Sequence, residues 1–188
     1  MNIKASLLLT ILAIIGHIVS VSAQSSQIIS VQTSAEIIEA MTLSQTNKLN
    51  FGTIALKSTE GGTVVLSSNS NTRNYTGGLA GGGPENQNAT NATFEVSGAS
   101  LATYSVTLPA VITLTHTSID SGINTMNVTS MKARFNDAES DSLTSTIASE
   151  GKDSFSLGAT LTVQENQIFG QYSGQYEVSV DYNKLKKL

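Results

Sequence analysis

The chain of 188 residues has no cysteine, no tryptophan, only two prolines and few charged side chains. Without cysteine it can form neither a disulfide framework nor a lipid link at an N-terminal cysteine. Charged residues make up 13% of the chain, against about 25% in an average soluble protein. The one basic cluster is formed by Lys184, Lys186 and Lys187. We therefore expect no nucleic-acid partner, because such partners require clustered basic side chains.

The first 23 residues have the three parts of a secretory signal peptide. Lys4 supplies the positive start, Leu7 to Ile15 is an apolar helical run, and Val21-Ser22-Ala23 offers the small residues that signal peptidase needs. The apolar run is shorter than the about 20 residues of a membrane span, so an uncleaved anchor is the less favoured alternative. We expect cleavage between Ala23 and Gln24 and no stable membrane span afterwards. The protein is then exported to the periplasm, cell surface or extracellular space.

The remainder of the chain has the length of one domain. Residues 24–188 can bury enough surface to fold without covalent staples. We predict an extended N-terminal segment over residues 24–34, with Ile29 and Val31 on one face. A single β-domain is predicted over residues 35–188.

The fold class follows from a period of two in the apolar residues. It is clearest in FSLGATLTV from Phe155 to Val163 and in YEVSVDY from Tyr176 to Tyr182. Such alternation is typical of strands with one face on a core and one face in water. Similar runs include Phe94 and Val96, Tyr104 to Leu108, Ile112 and Leu114, and Met126 and Val128. The sequence predicts an all-β fold, an immunoglobulin-like or pilin-like antiparallel β-sandwich of about eight or nine short strands.

Four finer features follow from local composition. We predict a strand over Ala35 to Leu43, where the periodicity is mixed, and one short strand near Tyr75 within a glycine-rich loop. A shift of the apolar positions after Val128 predicts a bulge near Ser130. The segment from Asn136 to Lys152 is predicted to be a polar, acidic connection.

Gly170-x-Tyr172-x-Gly174 lies just before the last predicted strand. A tyrosine near the start of the penultimate strand of a sandwich often caps an inter-sheet loop through its hydroxyl, the tyrosine corner. The alternative is that Tyr172 is an ordinary half-buried strand residue. A corner is normally followed by a further strand, so the strand pattern that ends at Tyr182 predicts a sandwich lacking one strand.

Several motifs together resemble a known family. They are LNFGT from Leu49 to Thr53, F-x-V-x-G from Phe94 to Gly98, Y-x-V-x-L-P from Tyr104 to Pro109, GATLTV from Gly158 to Val163, NQ at Asn166-Gln167, and G-x-Y-x-G-x-Y-x-V-x-V-x-Y from Gly170 to Tyr182. Their order and spacing are similar to the bacterial secreted family known as domain of unknown function 4402, over most of Ala35 to Tyr182. The resemblance implies a small exported domain like pilus-subunit and adhesin sandwiches. It implies no catalytic residue.

His116 is the one histidine after the signal peptide and is a weak candidate for catalysis. A serine hydrolase would pair it with an acid such as Asp120 and with an activated serine. No G-x-S-x-G elbow is present. Because His116 is in phase with Ile112 and Leu114, a core or strand-end position is the simpler interpretation. We expect no catalytic residues.

Asp137, Glu139 and Asp141 alternate in a polar loop, as calcium ligands do. An EF-hand loop would also need glycine at its sixth position and glutamate at its twelfth, where this chain has Ser142 and Ala148. A loose calcium site and a plain solvated acidic loop both fit. No cofactor is expected.

These features favour an exported, non-enzymatic surface protein. The first hypothesis is a structural or adhesive subunit that assembles with itself or related subunits by β-strand addition. The alternative is a self-contained binding module for a polysaccharide or protein ligand. For a surface glycan, Tyr75 is the best candidate for an exposed stacking aromatic.

Overall fold

The computed structural model describes residues 27–35, 37–57, 59–83, 88–118, 121–136 and 138–183. It divides into two units, Met1–Glu36 and Ile37–Leu188. The predicted signal peptide, its cleavage site at Ala23 and Gln24, and the basic cluster near the C-terminus lie outside the described residues. Residues 27–35 of the first unit contain no strand. Ile28, Ile29 and Val31 are 89%, 80% and 81% exposed.

The described part of the second unit is all-β, as predicted. Its strands are β1 (Thr42–Asn47), β2 (Ile54–Leu56), β3 (Gly62–Leu66), β4 (Arg73–Tyr75), β5 (Leu79–Gly81), β6 (Ala92–Ser97), β7 (Thr103–Thr107), β8 (Val111–His116), β9 (Thr125–Phe135), β10 (Thr144–Thr146), β11 (Lys152–Val163), β12 (Tyr172–Ser173) and β13 (Ser179–Tyr182). The predicted number was too low, because four of these strands, β2, β5, β10 and β12, have only two or three residues and cannot show a period of two. None of the described residues forms a helix long and apolar enough to cross a membrane.

The strands form one large antiparallel sheet and two small ones. The large sheet has the order β1-β6-β11-β9-β8-β12, with β3 also on β11 and β4 on β3. The small sheets are β10-β7-β13 and β2-β5. Along one edge, β11 pairs first with β6, over Lys152–Leu157, and then with β3, over Ala159–Val163. This double pairing makes β11 the central strand of the domain.

The burial of β11 follows the predicted alternation. Its buried apolar side chains are Phe155, Leu157, Ala159, Leu161 and Val163. The second run predicted at the C-terminus forms a shorter strand than expected, because residues 174–178 have no regular structure and only β13 follows. β13 pairs with β7 in a small sheet and not with β11.

Two apolar cores lie against the large sheet. In one half, called the closed half because a second sheet covers it, side chains of β6, β9 and β11 pack with those of the β10-β7-β13 sheet. Its buried members are Ala92, Phe94, Val96, Tyr104, Val106, Ala133, Phe135, Ile147, Phe155 and Leu157. In the other half, called the open half, strands β3, β8, β9 and β11 pack with β5 and loop residues, and the buried members are Phe51, Val64, Leu66, Leu79, Ala89, Ile112, Met126, Val128, Ala159, Leu161 and Val163. The two halves share one sheet but are covered by different structures.

The finer predictions had mixed outcomes. The strand predicted over Ala35 to Leu43 was wrong in its start, since residues 37–41 are irregular and the first strand begins at Thr42. Ile37 and Ile38 are exposed there, so their side chains are not buried against a sheet. The bulge is confirmed: Gly158 faces Lys132 but Thr160 faces Thr129, and Ser130 has a φ of 52°. The short strand near Tyr75 is β4.

The acidic connection over residues 136–152 contains more structure than predicted. Its polar sequence Thr144-Ser145-Thr146 forms β10 and pairs with β7. Ile147 follows directly and is fully buried in the closed half. The sequence pattern missed this strand because all three of its side chains are small and polar.

Candidate functional site

A cavity of about 750 Å³ lies in the open half. Its floor is the apolar face of the large sheet, formed by Ile112, Leu114, Met126, Val128, Leu161 and Val163. One wall is formed by residues 48–54 and Leu56, and the other by residues 167–174 and Tyr176. A second cavity, of about 560 Å³, is lined by Leu56, Lys57, Thr59 and residues 166–169. The open half therefore contains apolar sheet surface that the chain itself covers only in part.

One wall of the larger cavity carries a free strand edge. At the two ends of the β2-β5 pair, the Gly82 N–H donates to the Thr53 carbonyl oxygen, and the Lys57 N–H donates to the Gly78 carbonyl oxygen. Because hydrogen-bonded and non-hydrogen-bonded pairs alternate in antiparallel strands, Ala55 is the residue of β2 that bonds to β5. The N–H and C=O groups of Ile54 and Leu56 point away from β5. No other described residue forms a hydrogen bond with them.

The same wall is held in place by a buried arginine. Arg73 of β4 donates from Nη1 to the carbonyl oxygens of Phe51, at 2.5 Å, and Thr53, at 3.0 Å. Asn50 and Thr90 exchange two backbone hydrogen bonds of 2.8 Å. These contacts fix the loop that leads into β2, so the free edge of β2 is a fixed feature of the fold. The pattern-based prediction missed Arg73 because a single charged residue on a short strand gives no periodic signal.

The opposite wall is organised by Gln167 and Tyr172. Gln167 is buried and donates from Nε2 to the Ile123 carbonyl, at 2.7 Å, and to the Tyr172 hydroxyl, at 2.8 Å. The Tyr172 hydroxyl donates to the Ile168 carbonyl, at 2.7 Å. This bond runs from the tyrosine to backbone four residues upstream, which is the kind of contact that a tyrosine corner makes.

His116 connects that wall to β8. Ser118 donates its backbone N–H to Nδ1 at 3.1 Å, and Nε2 lies 3.1 Å from the carbonyl oxygen of Phe169. With its proton on Nε2, the ring satisfies both contacts. The ring also meets Tyr172 edge-on, with centroids 5.0 Å apart. His116 is therefore buried at a strand end, and its nitrogens bind backbone groups. Asp120, its proposed partner, lies outside the described residues.

Two of the predicted motif glycines allow close contacts in this wall. Gly170 has a φ of 146°, and a Cβ at this position would collide with the His116 ring. Gly174 follows β12 so closely against β8 that a Cβ would lie 2.5 Å from the carbonyl oxygen of Thr113. Larger residues at either position would push the wall away from the sheet.

The predicted calcium ligands are only partly described, because Asp137 is outside the described residues. Glu139 is exposed. Asp141 accepts hydrogen bonds from Arg134 Nε, at 3.0 Å, and from the Ser68 hydroxyl, at 2.5 Å. Burial alone would raise the pKa of Asp141, but these hydrogen bonds and the charges of Arg134 and Lys132 lower it. Asp141 therefore has cationic partners within the chain. No three metal-ligating side chains come together in the described ranges.

A buried carboxylate, not predicted from the sequence, lies in the closed half. Asp153 accepts hydrogen bonds from the Tyr104 hydroxyl at 3.0 Å, from Ser145 Oγ at 2.6 Å, and from Asn136 Nδ2 at 2.5 Å. Burial raises the pKa of Tyr104, and the charge of Asp153 raises it further. The sequence does indicate that Asp153 is buried, since it is in phase with Phe155. The network links β11 to the small sheet and does not border the cavity.

The exposed aromatic residue is not the one that was predicted. Tyr75 is half-buried, and the Arg73 guanidinium lies 5.4 Å from the centre of its ring. Phe169 is instead 80% exposed, and it lines both cavities. Tyr75 therefore cannot offer an open stacking face, whereas Phe169 stands free at the end of the second wall.

Comparison with known proteins identifies a family. The family described as Domain of unknown function (DUF4402) has a sequence model that matches residues 41–182, which is more than half of the chain. The match confirms the resemblance that the motifs indicated. No curated protein and no solved structure matches the chain.

Proposed function

Because the chain belongs to the family described as Domain of unknown function (DUF4402), we propose a function from the geometry of the open half. The protein is an exported structural or adhesive surface protein that assembles by β-strand addition. It carries out no catalysis, and its domain is an incomplete immunoglobulin-like or pilin-like sandwich. The observation that carries the proposal is the apolar cavity beside the free edge of β2.

The sandwich type is supported by the closed half. There the β10-β7-β13 sheet packs face to face on the large sheet through shared apolar side chains. In a complete sandwich this second layer would continue across the whole large sheet. Over the open half the second layer is reduced to the β2-β5 ribbon and two loops, with a gap between them. One added strand in this gap would give the open half the same kind of cover.

Strand addition is supported by the chemistry of the gap. Unpaired N–H and C=O groups on a strand edge are a template for another strand, and pockets for alternate side chains give such binding its specificity. Ile54 and Leu56 supply both features, because their backbone groups point outward and both residues line the cavity. An added strand would bury apolar sheet surface and satisfy these groups together.

The test is the state of the protein on intact cells and in solution. Antibody labelling of intact source cells is expected to mark the surface. Sedimentation of the purified protein is expected to show oligomers that persist on dilution, because added strands dissociate slowly. A protein that is retained in the cytoplasm, or that sediments as a monomer at all concentrations, would overturn the proposal.

The second candidate function is a binding module, and the observation that favours it is Phe169. An exposed aromatic ring beside an apolar cavity is a typical platform for a sugar or for a ligand side chain. Under this alternative the purified protein is a monomer that binds glycans on an array, and Phe169→Ala abolishes the binding. Val111→Ala, on an exposed side chain outside the cavity lining, is the matched control.

A further inference from the structure

We infer that the added strand is the segment Gln27 to Gln32 of a second copy of this chain, paired with the free edge of β2 so that Ile29 and Val31 enter the cavity. The inference rests on the proposed function and assigns its partner, its acceptor edge and its side-chain contacts. The acceptor edge and the cavity were derived above from β2 and its neighbours.

The segment is chosen by its exposed apolar side chains. Ile28, Ile29 and Val31 stand within four residues and are each at least 80% exposed. Half of the ten large apolar side chains that are exposed in the described residues fall between residues 28 and 38. A clustered exposure of this kind marks an interaction site, whereas single exposed apolar residues are normal on any surface.

The chemistry of the segment suits the cavity. Residues 27–35 read QIISVQTSA and contain no charged residue and no proline, so they can enter an apolar gap as a strand without burying a charge or losing a backbone donor. Ile29 and Val31 are two residues apart and so lie on one face of an extended chain. Of the side chains lining the cavity, the one that is charged belongs to Lys48.

The edge of β2 is chosen because it offers the longest unpaired edge along the cavity, with both Ile54 and Leu56 in the lining. Both cavities are lined by Leu56, and neither is lined by a residue of β1, β10 or β13. β1 offers mostly polar side chains, and its apolar Leu43 already packs in the closed half. A strand added to β1 would therefore bury little new apolar surface. Among the described strands that border the larger cavity, β2 presents two lining residues with outward backbone groups, whereas β5 and β12 present one each, Leu79 and Tyr172.

The side-chain register follows from the β2 geometry. Ile54 and Leu56 point their backbone groups outward and their side chains into the cavity. Donor residues hydrogen-bonded directly opposite them have side chains on the same face of the sheet, about 5.5 Å away between Cα atoms. Ile29 and Val31 have the matching spacing. An antiparallel donor places Ile29 opposite Leu56, and a parallel donor places it opposite Ile54.

The absence of cysteine makes disulfide trapping a clean test. Full-length Ile29→Cys is mixed with full-length Leu56→Cys or Ile54→Cys, oxidised, and analysed on non-reducing gels and by mass spectrometry of the linked peptides. The expected Cα separation lies within the roughly 4.4–6.8 Å that a disulfide spans. We expect at least roughly tenfold more mixed dimer than in the controls, because paired strands hold the thiols at high effective concentration.

Two matched controls separate pairing from random collision. Ile28→Cys is an equally exposed donor position but lies on the opposite face of the extended segment. Val65→Cys is an exposed acceptor position outside the cavity lining. If these controls trap as much mixed dimer as the test pairs, the assignment is wrong.

A second measurement guards against unfolding of a cysteine variant. A labelled peptide of residues 27–34 is titrated into full-length protein carrying Ile29→Asp and Val31→Asp, which cannot act as a donor but keeps the cavity. Saturable binding is expected, with none for the peptide that carries the same two aspartates. Absence of binding by the unmodified peptide overturns the inference.

The outcomes also separate the inference from the proposed function. Oligomers that persist in the Ile29→Asp, Val31→Asp variant, without specific trapping at β2, would leave strand addition standing and remove this segment as the donor. Protein that is monomeric under all conditions would remove both. A double variant, Ile29→Cys with Leu56→Cys, should give a ladder of linked chains on a non-reducing gel. A compact linked monomer would place the segment in its own domain and overturn the inference.

Discussion

The closed and open halves are built on the same strand but completed in different ways. On β11, Phe155 and Leu157 face the closed half, and Leu161 and Val163 face the open half with the same alternation. Over the closed half, three paired strands form a second layer. Over the open half, a two-stranded ribbon and two loops leave a cavity of about 750 Å³. A strand pattern therefore shows that a face is apolar, but not that the chain itself covers it.

The two halves also differ in how their polar groups are satisfied. The closed half contains a buried carboxylate with several donors, which links the two sheets. In the open half, buried polar side chains such as Arg73 and Gln167 bind the backbone of loops and fix the position of each cavity wall. The first arrangement joins two sheets across a core, while the second orders loops beside a cavity.

The largest expected effect is on stability, and two leucines of the same strand measure it. Leu157→Ala is expected to cost about 3–5 kcal/mol, because it leaves a void in a fully covered core. Leu161→Ala is expected to cost less, about 2–3 kcal/mol, because its side chain borders an existing cavity. Urea unfolding of both variants measures the difference. Equal losses would show that the open half is packed as well as the closed half.

The next effect concerns the buried carboxylate of the closed half. Asp153→Ala is expected to lower the free energy of unfolding by about 2–4 kcal/mol, because it leaves buried donors of Tyr104, Ser145 and Asn136 without an acceptor. Asp181→Ala, an exposed position on β13, is the matched control and should cost less than about 0.5 kcal/mol. A loss at Asp153 no larger than at Asp181 would contradict the role given to this network.

A smaller effect is expected at alkaline pH. Burial and then Asp153 raise the pKa of Tyr104 in the folded protein, while the unfolded chain keeps a tyrosine pKa near about 10. Above that pH the unfolded state binds fewer protons than the folded state, so stability falls as pH rises. Tyr104→Phe should flatten this fall in unfolding experiments between pH 9 and about 11. Tyr176→Phe should flatten it less, because burial raises the pKa of Tyr176 without a neighbouring carboxylate. A larger flattening with Tyr176→Phe than with Tyr104→Phe would contradict the effect assigned to Asp153.

The smallest effect is expected in the acidic loop. The pKa of Asp141 is lowered, so its contribution is present above the unfolded pKa of about 3.9 and is lost as pH falls through the folded pKa. The group is exposed, and Asp141→Asn should therefore cost less than about 1 kcal/mol at pH 7. The thermal midpoint measured with and without calcium checks both interpretations of the loop. A calcium-dependent rise that Asp141→Asn removes would favour the metal site.

Features of the fold could be predicted from the sequence where they depend on neighbouring residues, and not where they depend on residues far apart in the chain. β11 was readable because its own residues alternate, and the bulge near Ser130 was readable as a shift of that alternation. β10 was not readable, because Thr144 to Thr146 become a strand only through pairing with β7. The buried position of Asp153 was implied by its phase with Phe155, but its donors come from distant segments.

The cavity lies beyond sequence reasoning for the same reason. Its lining comes from segments as distant as Leu49, Leu79, Ile112 and Leu161, and no local pattern records the space that their packing leaves. The resemblance to a family gave the extent of the domain and left this gap undescribed. Motif glycines such as Gly170 marked the wall, but their reason, the close contact with His116, is visible only in three dimensions.

Hydrogen exchange at β2, measured residue by residue on dilute monomer and on assembled protein, tests the central claim most directly. The backbone N–H of Ala55 bonds to β5 and should be protected in both states. The N–H groups of Ile54 and Leu56 point to the free edge, so we predict fast exchange in the monomer and strong protection on assembly. Unchanged exchange at Ile54 and Leu56, with new protection at β1, β10 or β13 instead, would contradict the account.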